Sequence, residues 1–324
     1  MTTSVRLQDL ALAIAAFALT SIACLAQTPG VVSSNRNPLQ IALKHWYAVN
    51  STTSFPTGQD PTGVAFDGAN IWVTNFADAT ITKLKANDGT ELGTFTVGTK
   101  PYNAAFDGAN VWVANQGDNN VTKLRASDGA MLGTFSVGSA PNGIAFDGAS
   151  IWVANVLGNT VTKLRASDGA LLGTFAVGLE PVRVESDGVN IWVSNAQSNT
   201  VSKLRAADGK VLGTFPVGTS PEGLVFDYSS MWVANTGSNN VMKLRPTDGM
   251  ILGTFSVGTG PSWLAFDGAN IWVANFNDST VTKLRVSDGS VLGTFSVGIA
   301  PSGVAFDGAN VWVALAGGNV IAKM

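Results

Sequence analysis

The chain has very few residues of the kinds that most catalytic and metal sites use. It contains one cysteine, Cys24, and one histidine, His45, and charged residues make up only 13% of its 324 residues. Nucleophilic triads need a base that is usually histidine, and zinc sites use histidine and cysteine, so neither kind of site is predicted. A single cysteine excludes a disulfide framework within the chain. The net charge of −3 indicates no strongly electrostatic partner.

Long apolar runs are also scarce, and the one that exists lies at the start. Arg6 precedes an almost wholly apolar run over residues 10–26, and the polar Gln27 follows it. This pattern is typical of a secretory signal peptide, so we expect cleavage near Ala26 and a periplasmic or secreted protein. The run is short for a bilayer span of about 20 residues, and no membrane span is expected in the mature chain. The alternative is a lipoprotein signal, with residues 21–24 as the lipidation box.

What the chain has in abundance is internal repetition. Around a series of prolines runs nearly the same text, P-x-G-V-A-F-D-G-A-N-I-W-V-A-N, followed by T-V-T-K-L-R-A-S-D-G and L-G-T-F-x-V-G. The prolines stand 40 residues apart, at Pro61, Pro101, Pro141, Pro181, Pro221, Pro261 and Pro301. A fixed period of about 40 residues marks a repeat architecture.

One repeat, residues 101–140, contains four short runs rich in Val, Trp, Phe and Thr, and a turn signal ends each run. Such runs predict β-strands, and Asp-Gly between two of them indicates a hairpin. No stretch within a repeat has helical periodicity of sufficient length. Each repeat therefore predicts a four-stranded antiparallel sheet, whose strands we name A to D in chain order.

Strand B carries large apolar groups on both faces, as Val111, Trp112 and Val113 show. Neighbouring copies cover both faces in a β-propeller, whereas an open solenoid needs distinct end caps. The seventh copy ends after strand C, and residues 54–58 match the missing strand D. The sequence therefore predicts an all-β, seven-bladed β-propeller whose N-terminal strand completes the last blade. The predicted domains are a signal peptide (1–26), an extension with a short helix (27–52) and the propeller (53–324).

Residues that recur in every repeat are expected to serve the scaffold. The tryptophan of strand B, for example Trp112, is predicted to pack between blades. The Asp-Gly pairs are predicted to form turns and not calcium loops. The basic residues of strand C, such as Lys123 and Arg125, recur together with turn aspartates, and we expect a ladder of surface ion pairs there.

The blade text W-V-A-N-x-x-x-N-T-V-T-K-L, as in residues 272–275 and 280–284, resembles that of secreted seven-bladed propellers of the YVTN and NHL repeat type. The resemblance covers residues 53–324 and extends distantly to the virginiamycin B lyase-like propellers. It implies the seven-bladed fold. For the lyase-like propellers it also implies a chemistry that uses histidine and a magnesium ion, whereas residues 53–324 contain no histidine.

Differences between the copies concentrate at one end of the ring. Strand direction places the A–B and C–D turns at one end, here called the turn face, and the B–C and D–A loops at the other, the variable face. Variable loops on a rigid scaffold are where binding usually resides. We therefore predict a ligand-binding site at the channel mouth on the variable face, formed by Lys100, Tyr102, Asn103, Arg183, Glu185, Glu222 and Trp263.

Three of these residues, Asn103, Arg183 and Trp263, replace a glycine that the other copies have at the third position of strand A. Blade 4 also has Glu185 and Ser186 in place of a small apolar residue and Phe. Local drift of packing and a binding site both explain this change. Because the predicted site lies at an exposed mouth, we expect Arg183→Ala and Trp263→Ala to change stability by no more than about 1 kcal/mol.

Acidic residues outnumber basic ones on the variable face, which repels phosphate backbones, so no nucleic-acid partner is expected. We interpret the chain as an exported, monomeric, non-catalytic binding module that recognises a small molecule, a glycan or a protein on this face. No catalytic residue and no cofactor is assigned. The alternative is a lyase or hydrolase of the virginiamycin B lyase-like kind, with Ca²⁺ or Mg²⁺ held by carboxylates such as Glu185 or Glu222.

Overall fold

The fold is seen in a computed structural model that describes residues 52–324. The predicted signal peptide, the helix predicted in the extension, Cys24 and His45 lie outside the described residues. Nearly all the regular structure in residues 52–324 is β-strand. No helix in this part of the chain is long and apolar enough to cross a bilayer.

Twenty-eight strands and two single-turn 3-10 helices, Thr236–Ser238 and Ala316–Gly318, make up the ring. The first thirteen strands are β1 (Thr53–Pro56), β2 (Pro61–Phe66), β3 (Asn70–Asn75), β4 (Thr80–Lys85), β5 (Glu91–Thr96), β6 (Pro101–Phe106), β7 (Asn110–Asn115), β8 (Asn120–Arg125), β9 (Met131–Ser136), β10 (Pro141–Phe146), β11 (Ser150–Asn155), β12 (Thr160–Arg165) and β13 (Leu171–Ala176). The remaining strands are β14 (Pro181–Ser186), β15 (Asn190–Asn195), β16 (Thr200–Arg205), β17 (Val211–Pro216), β18 (Pro221–Phe226), β19 (Met231–Asn235), β20 (Asn240–Leu244), β21 (Ile251–Ser256), β22 (Pro261–Phe266), β23 (Asn270–Asn275), β24 (Thr280–Arg285), β25 (Val291–Ser296), β26 (Pro301–Phe306), β27 (Val311–Leu315) and β28 (Val320–Lys323).

The strands form seven four-stranded antiparallel sheets. Six sheets consist of consecutive strands, from β2–β5 for the first blade to β22–β25 for the sixth. The seventh consists of β26, β27, β28 and β1, with Thr53 opposite Lys323 and Pro56 opposite Val320. The innermost strands of neighbouring blades pack side by side, and β26 packs on β2, so the sheets form a circle. The predicted seven-bladed, all-β fold is confirmed.

Burial falls from the second strand of each blade to its outer edge. In β7 five of the six residues are buried, whereas in β9 four of the six are exposed. The Trp112 side chain is 0% exposed and packs in one apolar cluster with Ile144 and Val153 of the next blade. Since each sheet is covered on both faces by its neighbours, the predicted packing of the strand B tryptophans between blades is confirmed.

A repeated polar contact joins each blade, except the sixth, to the next one. Trp112 Nε1 donates to Asp107 Oδ2 at 2.8 Å, and Lys123 Nζ lies 4.8 Å from the centroid of the Trp112 ring. Lys123 Nζ also donates to the carbonyl oxygen of Ala166, in blade 3, at 2.7 Å. Lys323 makes the same contact between the seventh and first blades, donating to a backbone carbonyl of the first blade at 2.8 Å. Carbonyl groups of the adjacent blade thus satisfy these buried ammonium groups.

The ion pairs predicted for strand C form only in part. The arginine at the end of the strand pairs with the turn aspartate, as Arg125 does with Asp128 at 2.9 Å, and both side chains are about half exposed. The prediction was wrong for Lys123 and most of its equivalents, because they lie farther from the turn and over the tryptophan ring. In residues 52–324 only Lys243 and Lys283 also approach a carboxylate, at 3.9 Å and 3.8 Å.

The third position of strand A alternates around most of the ring. Odd-numbered blades have glycine there and even-numbered blades have a larger residue, in the order Gly63, Asn103, Gly143, Arg183, Gly223, Trp263 and Gly303. A Cβ added at Gly143 would lie 2.6 Å from the Cα of Arg183, and one at Gly303 would lie 2.2 Å from the carbonyl oxygen of Thr62. Glycine therefore allows neighbouring inner strands to approach more closely than a side chain would permit.

Candidate functional site

A cavity of about 310 Å³ opens at the channel mouth on the variable face. We call it the mouth cavity. Its aromatic lining residues are Phe76, Tyr102, Trp263 and Phe276. Its charged lining residues are Asp60, Arg183 and Glu222, and its neutral polar ones are Thr62, Thr236, Ser262, Asn277 and Ser302. The cavity is thus a concave aromatic surface that contains a few charged groups.

A second, smaller cavity of about 160 Å³ lies along the inner strands. We call it the deep cavity. Its polar lining residues are Asn103, Arg183 and Glu185, and most of the others are apolar, including Val64, Ile144, Val184, Leu224, Trp263 and Leu264. Arg183 and Trp263 line both cavities, so these two side chains separate one cavity from the other.

Six of the seven residues predicted from the sequence line these cavities. Four of them line the mouth cavity: Tyr102, Arg183, Glu222 and Trp263. Two line only the deep cavity: Asn103 and Glu185. Lys100 lines neither, but its Nζ lies 5.9 Å from the centroid of the Phe76 ring at the mouth.

Arg183 is the one cationic group that lines the mouth cavity within residues 52–324. Its Cζ lies 3.4 Å from the centroid of the Trp263 ring and 5.4 Å from that of the Tyr102 ring. NH1 donates to Asn142 Oδ1 at 2.9 Å. Burial lowers the pKa of the guanidinium to about 10, although Tyr102 and Glu222 oppose the shift. The group therefore stays protonated at neutral pH.

The expectation that Arg183 is exposed, and that its removal is nearly neutral for stability, was wrong in its premise. Arg183 is only 6% exposed. Gly143 allows β10 to approach the backbone of Arg183 closely, and the ring of Trp263 reaches it from blade 6. Truncation to alanine would leave a void between aromatic rings, and voids of this kind carry a cost that exposed positions do not.

Three carboxyl groups at the cavities have raised pKa values because burial disfavours their ionised form. Burial raises the pKa of Glu222, although the charge of Arg183 and a hydrogen bond with Thr236 oppose the shift. Burial also raises the pKa of Asp60. The largest shift is at Glu185, where burial raises the pKa to about 8. At neutral pH Glu185 is therefore mostly protonated, unlike an ordinary surface glutamate.

Other acidic residues of the variable face support its loops. Asp118 Oδ2 accepts a hydrogen bond from the Thr99 amide at 2.7 Å, and Asp278 makes the equivalent contact in blade 6. Ser198 and Ser238 accept the same amide hydrogen bond in blades 4 and 5. Loop variation on this face is therefore partly structural. In residues 52–324 no group of three or more His, Cys, Asp or Glu side chains could hold a metal ion.

Sequence reasoning did not select several residues of the mouth cavity. Ser262 and Asn277 line it, but small polar residues occur in every loop of this chain and give no signal by type. The residue after the strand B asparagine differs in nearly every copy. That position supplies Phe76, Thr236 and Phe276 to the lining. Phe76 and Phe276 are unusual when the copies are compared, but the predicted site did not include them.

Comparisons with known proteins place the chain by fold alone. No protein-family model matches it, and no curated protein sequence does. Among solved structures, hydrazine synthase from Kuenenia stuttgartiensis is similar with a TM-score of 0.74 and 18% identity, over 82% of this chain and 95% of that one. A streptogramin B lyase has a TM-score of 0.73 and 21% identity, over 85% and 98% of the two chains. Virginiamycin B lyase from Staphylococcus aureus has a TM-score of 0.73 and 19% identity, over 84% and 98%. The resemblance to virginiamycin B lyase-like propellers is thus confirmed at the level of fold, and the chain is a seven-bladed β-propeller.

Proposed function

We propose that this chain is a non-catalytic binding module that holds a small ligand in the mouth cavity. The observation that carries the proposal is the stack of Trp263, Arg183 and Tyr102 inside a cavity of about 310 Å³. Small-molecule sites are concave and largely apolar, with a small number of placed polar groups that fix the orientation of the ligand. The mouth cavity has this composition.

The placement of these residues also favours binding. Tyr102, Arg183 and Trp263 lie on β6, β14 and β22, which are innermost strands of three different blades. Side chains on strands are held more exactly than side chains on loops, and a preorganised site loses less entropy on binding. Under this proposal the binding site is preformed by the propeller, and no loop or domain closure is needed to assemble it.

A pair of tyrosine variants tests the site. A thermal-shift screen of amino acids, sugars, cell-wall fragments and divalent cations first identifies a compound that stabilises the protein. Tyr102→Ala is expected to weaken the affinity for that compound about tenfold, because an aromatic wall of the cavity is lost. Tyr228→Ala is the matched control, since Tyr228 is 85% exposed at the turn face. Isothermal titration calorimetry measures both.

Equal affinities for the two variants would contradict the proposed site. The bound compound should also be recovered unchanged after long incubation with the protein, as mass spectrometry would show. Appearance of a product that requires the protein would contradict the non-catalytic assignment and favour the lyase or hydrolase alternative.

We also propose that the chain acts in the periplasm or outside the cell. The support is the charged start and apolar run of the first 26 residues. Mass spectrometry of the exported protein is expected to find Gln27 as its first residue. A diacylated Cys24 would instead show a lipoprotein, and an intact N-terminus in the cytoplasm would contradict export.

A further inference from the structure

Arg183 is a buried cation with unused hydrogen-bonding capacity. The residue is 6% exposed, and in residues 52–324 its only side-chain hydrogen bond runs from NH1 to Asn142. Nε is sealed from solvent and has no acceptor within this part of the chain. A buried donor that lacks an acceptor costs free energy, and more so when it belongs to a charged group. NH2 also has no acceptor in residues 52–324, but unlike Nε it is not sealed, so a ligand in a cavity that Arg183 lines can supply one.

The environment of the guanidinium limits which acceptors fit. Cζ lies 3.4 Å from the centroid of the Trp263 ring, so one planar face of the group is covered by the indole. A ligand must therefore approach the edge of the guanidinium, where the N–H bonds point. Guanidinium edges bind planar carboxylates in a two-pronged geometry. The geometry around Arg183 therefore favours a planar carboxylate as its ligand.

Glu222 supplies an opposite charge to the same cavity. Its carboxyl group makes no ion pair with Arg183, because none of the ion pairs within 4.0 Å in residues 52–324 includes Arg183. The charges of the two groups nevertheless interact. Burial lowers the pKa of Arg183 and Glu222 opposes that shift, while burial raises the pKa of Glu222 and Arg183 opposes that one. Arg183 and Glu222 therefore line a single cavity, together with Asp60, without forming an ion pair.

We propose that the mouth cavity binds a small zwitterion of the aromatic α-amino acid type, with its carboxylate at Arg183 and its ammonium at Glu222. This inference rests on the proposed function and names the chemistry of its ligand. Phe76 and Phe276 line the rest of the cavity and offer apolar surface to the aromatic group of the ligand. A cavity of about 310 Å³ lies in the range of known small-molecule sites.

Other charge types fit less well. A dianion such as phosphate would meet Glu222 and Asp60 as well as Arg183, so repulsion offsets the attraction. A ligand with only an ammonium would leave the buried donors of Arg183 without an acceptor. A neutral sugar would leave both charges of the cavity uncompensated. Only a ligand with both charges satisfies both groups.

Four probes test the inference with the full chain: L-phenylalanine, 3-phenylpropionate, 2-phenylethylamine and inorganic phosphate. The first three share one phenyl group and differ only in their charged groups. L-phenylalanine is expected to bind tightest by calorimetry. Loss of the ammonium or of the carboxylate is expected to weaken binding by about tenfold or more, the usual effect of a charged hydrogen bond.

Paired variants assign each charge. Arg183→Gln is expected to weaken the binding of the two probes that carry a carboxylate, L-phenylalanine and 3-phenylpropionate. Glu222→Gln is expected to reduce the affinity for L-phenylalanine to that for 3-phenylpropionate. The matched controls are Arg125→Gln, in an ion pair at the turn face, and Glu180→Gln, in an exposed D–A turn. Both controls should bind as the unmodified chain does. If Arg183→Gln fails to fold, Arg183→Lys is the second variant. It keeps the positive charge but lacks the two parallel N–H groups of a guanidinium edge, so it should weaken the binding of both carboxylate probes.

The inference is overturned if L-phenylalanine does not bind at millimolar concentration, or if any of the other three probes binds at least as tightly. It is also overturned if the Arg183 variants bind L-phenylalanine normally. These results differ from a failure of the proposed function. A sugar or another compound that binds and is weakened by Tyr102→Ala would leave the mouth cavity as the site and exclude only the zwitterion.

Discussion

A chain that begins at residue 59 is expected to melt about 10 °C or more below one that begins at residue 52. The lost segment contains β1, the outer strand of the seventh blade. Its Phe55 ring lies 5.5 Å from that of Trp312, and a Cβ at Gly89 of the first blade would lie 2.2 Å from it. Phe55 therefore contacts both blades at the junction of the ring. Removal of one such aromatic group costs about 3 kcal/mol, and each kcal/mol corresponds to about 2–4 °C.

Differential scanning calorimetry of both chains gives the difference directly. Phe55→Ala in the longer chain separates the contribution of the ring from that of the backbone hydrogen bonds along β1. The variant should melt between the two chains. Equal melting temperatures for the chains that begin at 52 and at 59 would show that β1 does not hold the seventh blade.

The second large effect concerns the dependence of stability on pH. Glu185 has a folded-state pKa of about 8, raised from 4.5 by burial. At a pH between these two values, Glu185 is therefore protonated in the folded chain and ionised in the unfolded chain. The contribution of Glu185 to stability then falls as the pH rises from about 4.5 to about 8. Above that range the folded state has the full cost of an ionised carboxylate in the deep cavity.

Glu185→Gln is expected to remove this cost. The shift corresponds to an upper bound of about 5 kcal/mol, and water that reaches the partly exposed group lowers the expected gain at high pH to about 1–3 kcal/mol. Urea unfolding at about pH 5 and about pH 9 measures the gain, which should be present only at the higher pH. Glu180→Gln, in an exposed turn, should show no such trend. Parallel stability curves for Glu185→Gln and the unmodified chain would contradict the assignment.

The fold could be predicted because each repeat contains the information for its own blade. The apolar residues on both sides of Trp112 require that both faces of the sheet be covered, and only neighbouring blades can cover them all. The match of residues 54–58 to strand D places β1 in the seventh sheet. Each of these inferences uses residues that lie close together in the sequence or that repeat at a fixed interval.

The candidate site could be predicted only in part. Departures from the repeat identify Asn103, Arg183 and Trp263, because an unusual residue is visible against six other copies. The contact of Arg183 with Trp263 could not be predicted, since it depends on how far side chains reach across the channel between blades 4 and 6. The role of Lys123 was missed for a similar reason: its acceptor lies 43 residues away, on the next blade.

The alternation at the third position of strand A has a geometric consequence. With an even number of blades, small and large residues could alternate around the whole ring. With an odd number, two residues of the same kind must lie in neighbouring blades. Here blades 7 and 1 both have glycine, Gly303 and Gly63, and the three larger residues lie in the rest of the ring. They therefore cannot be spaced evenly about the central axis. Parity alone thus gives a nearly symmetric ring an asymmetric interior.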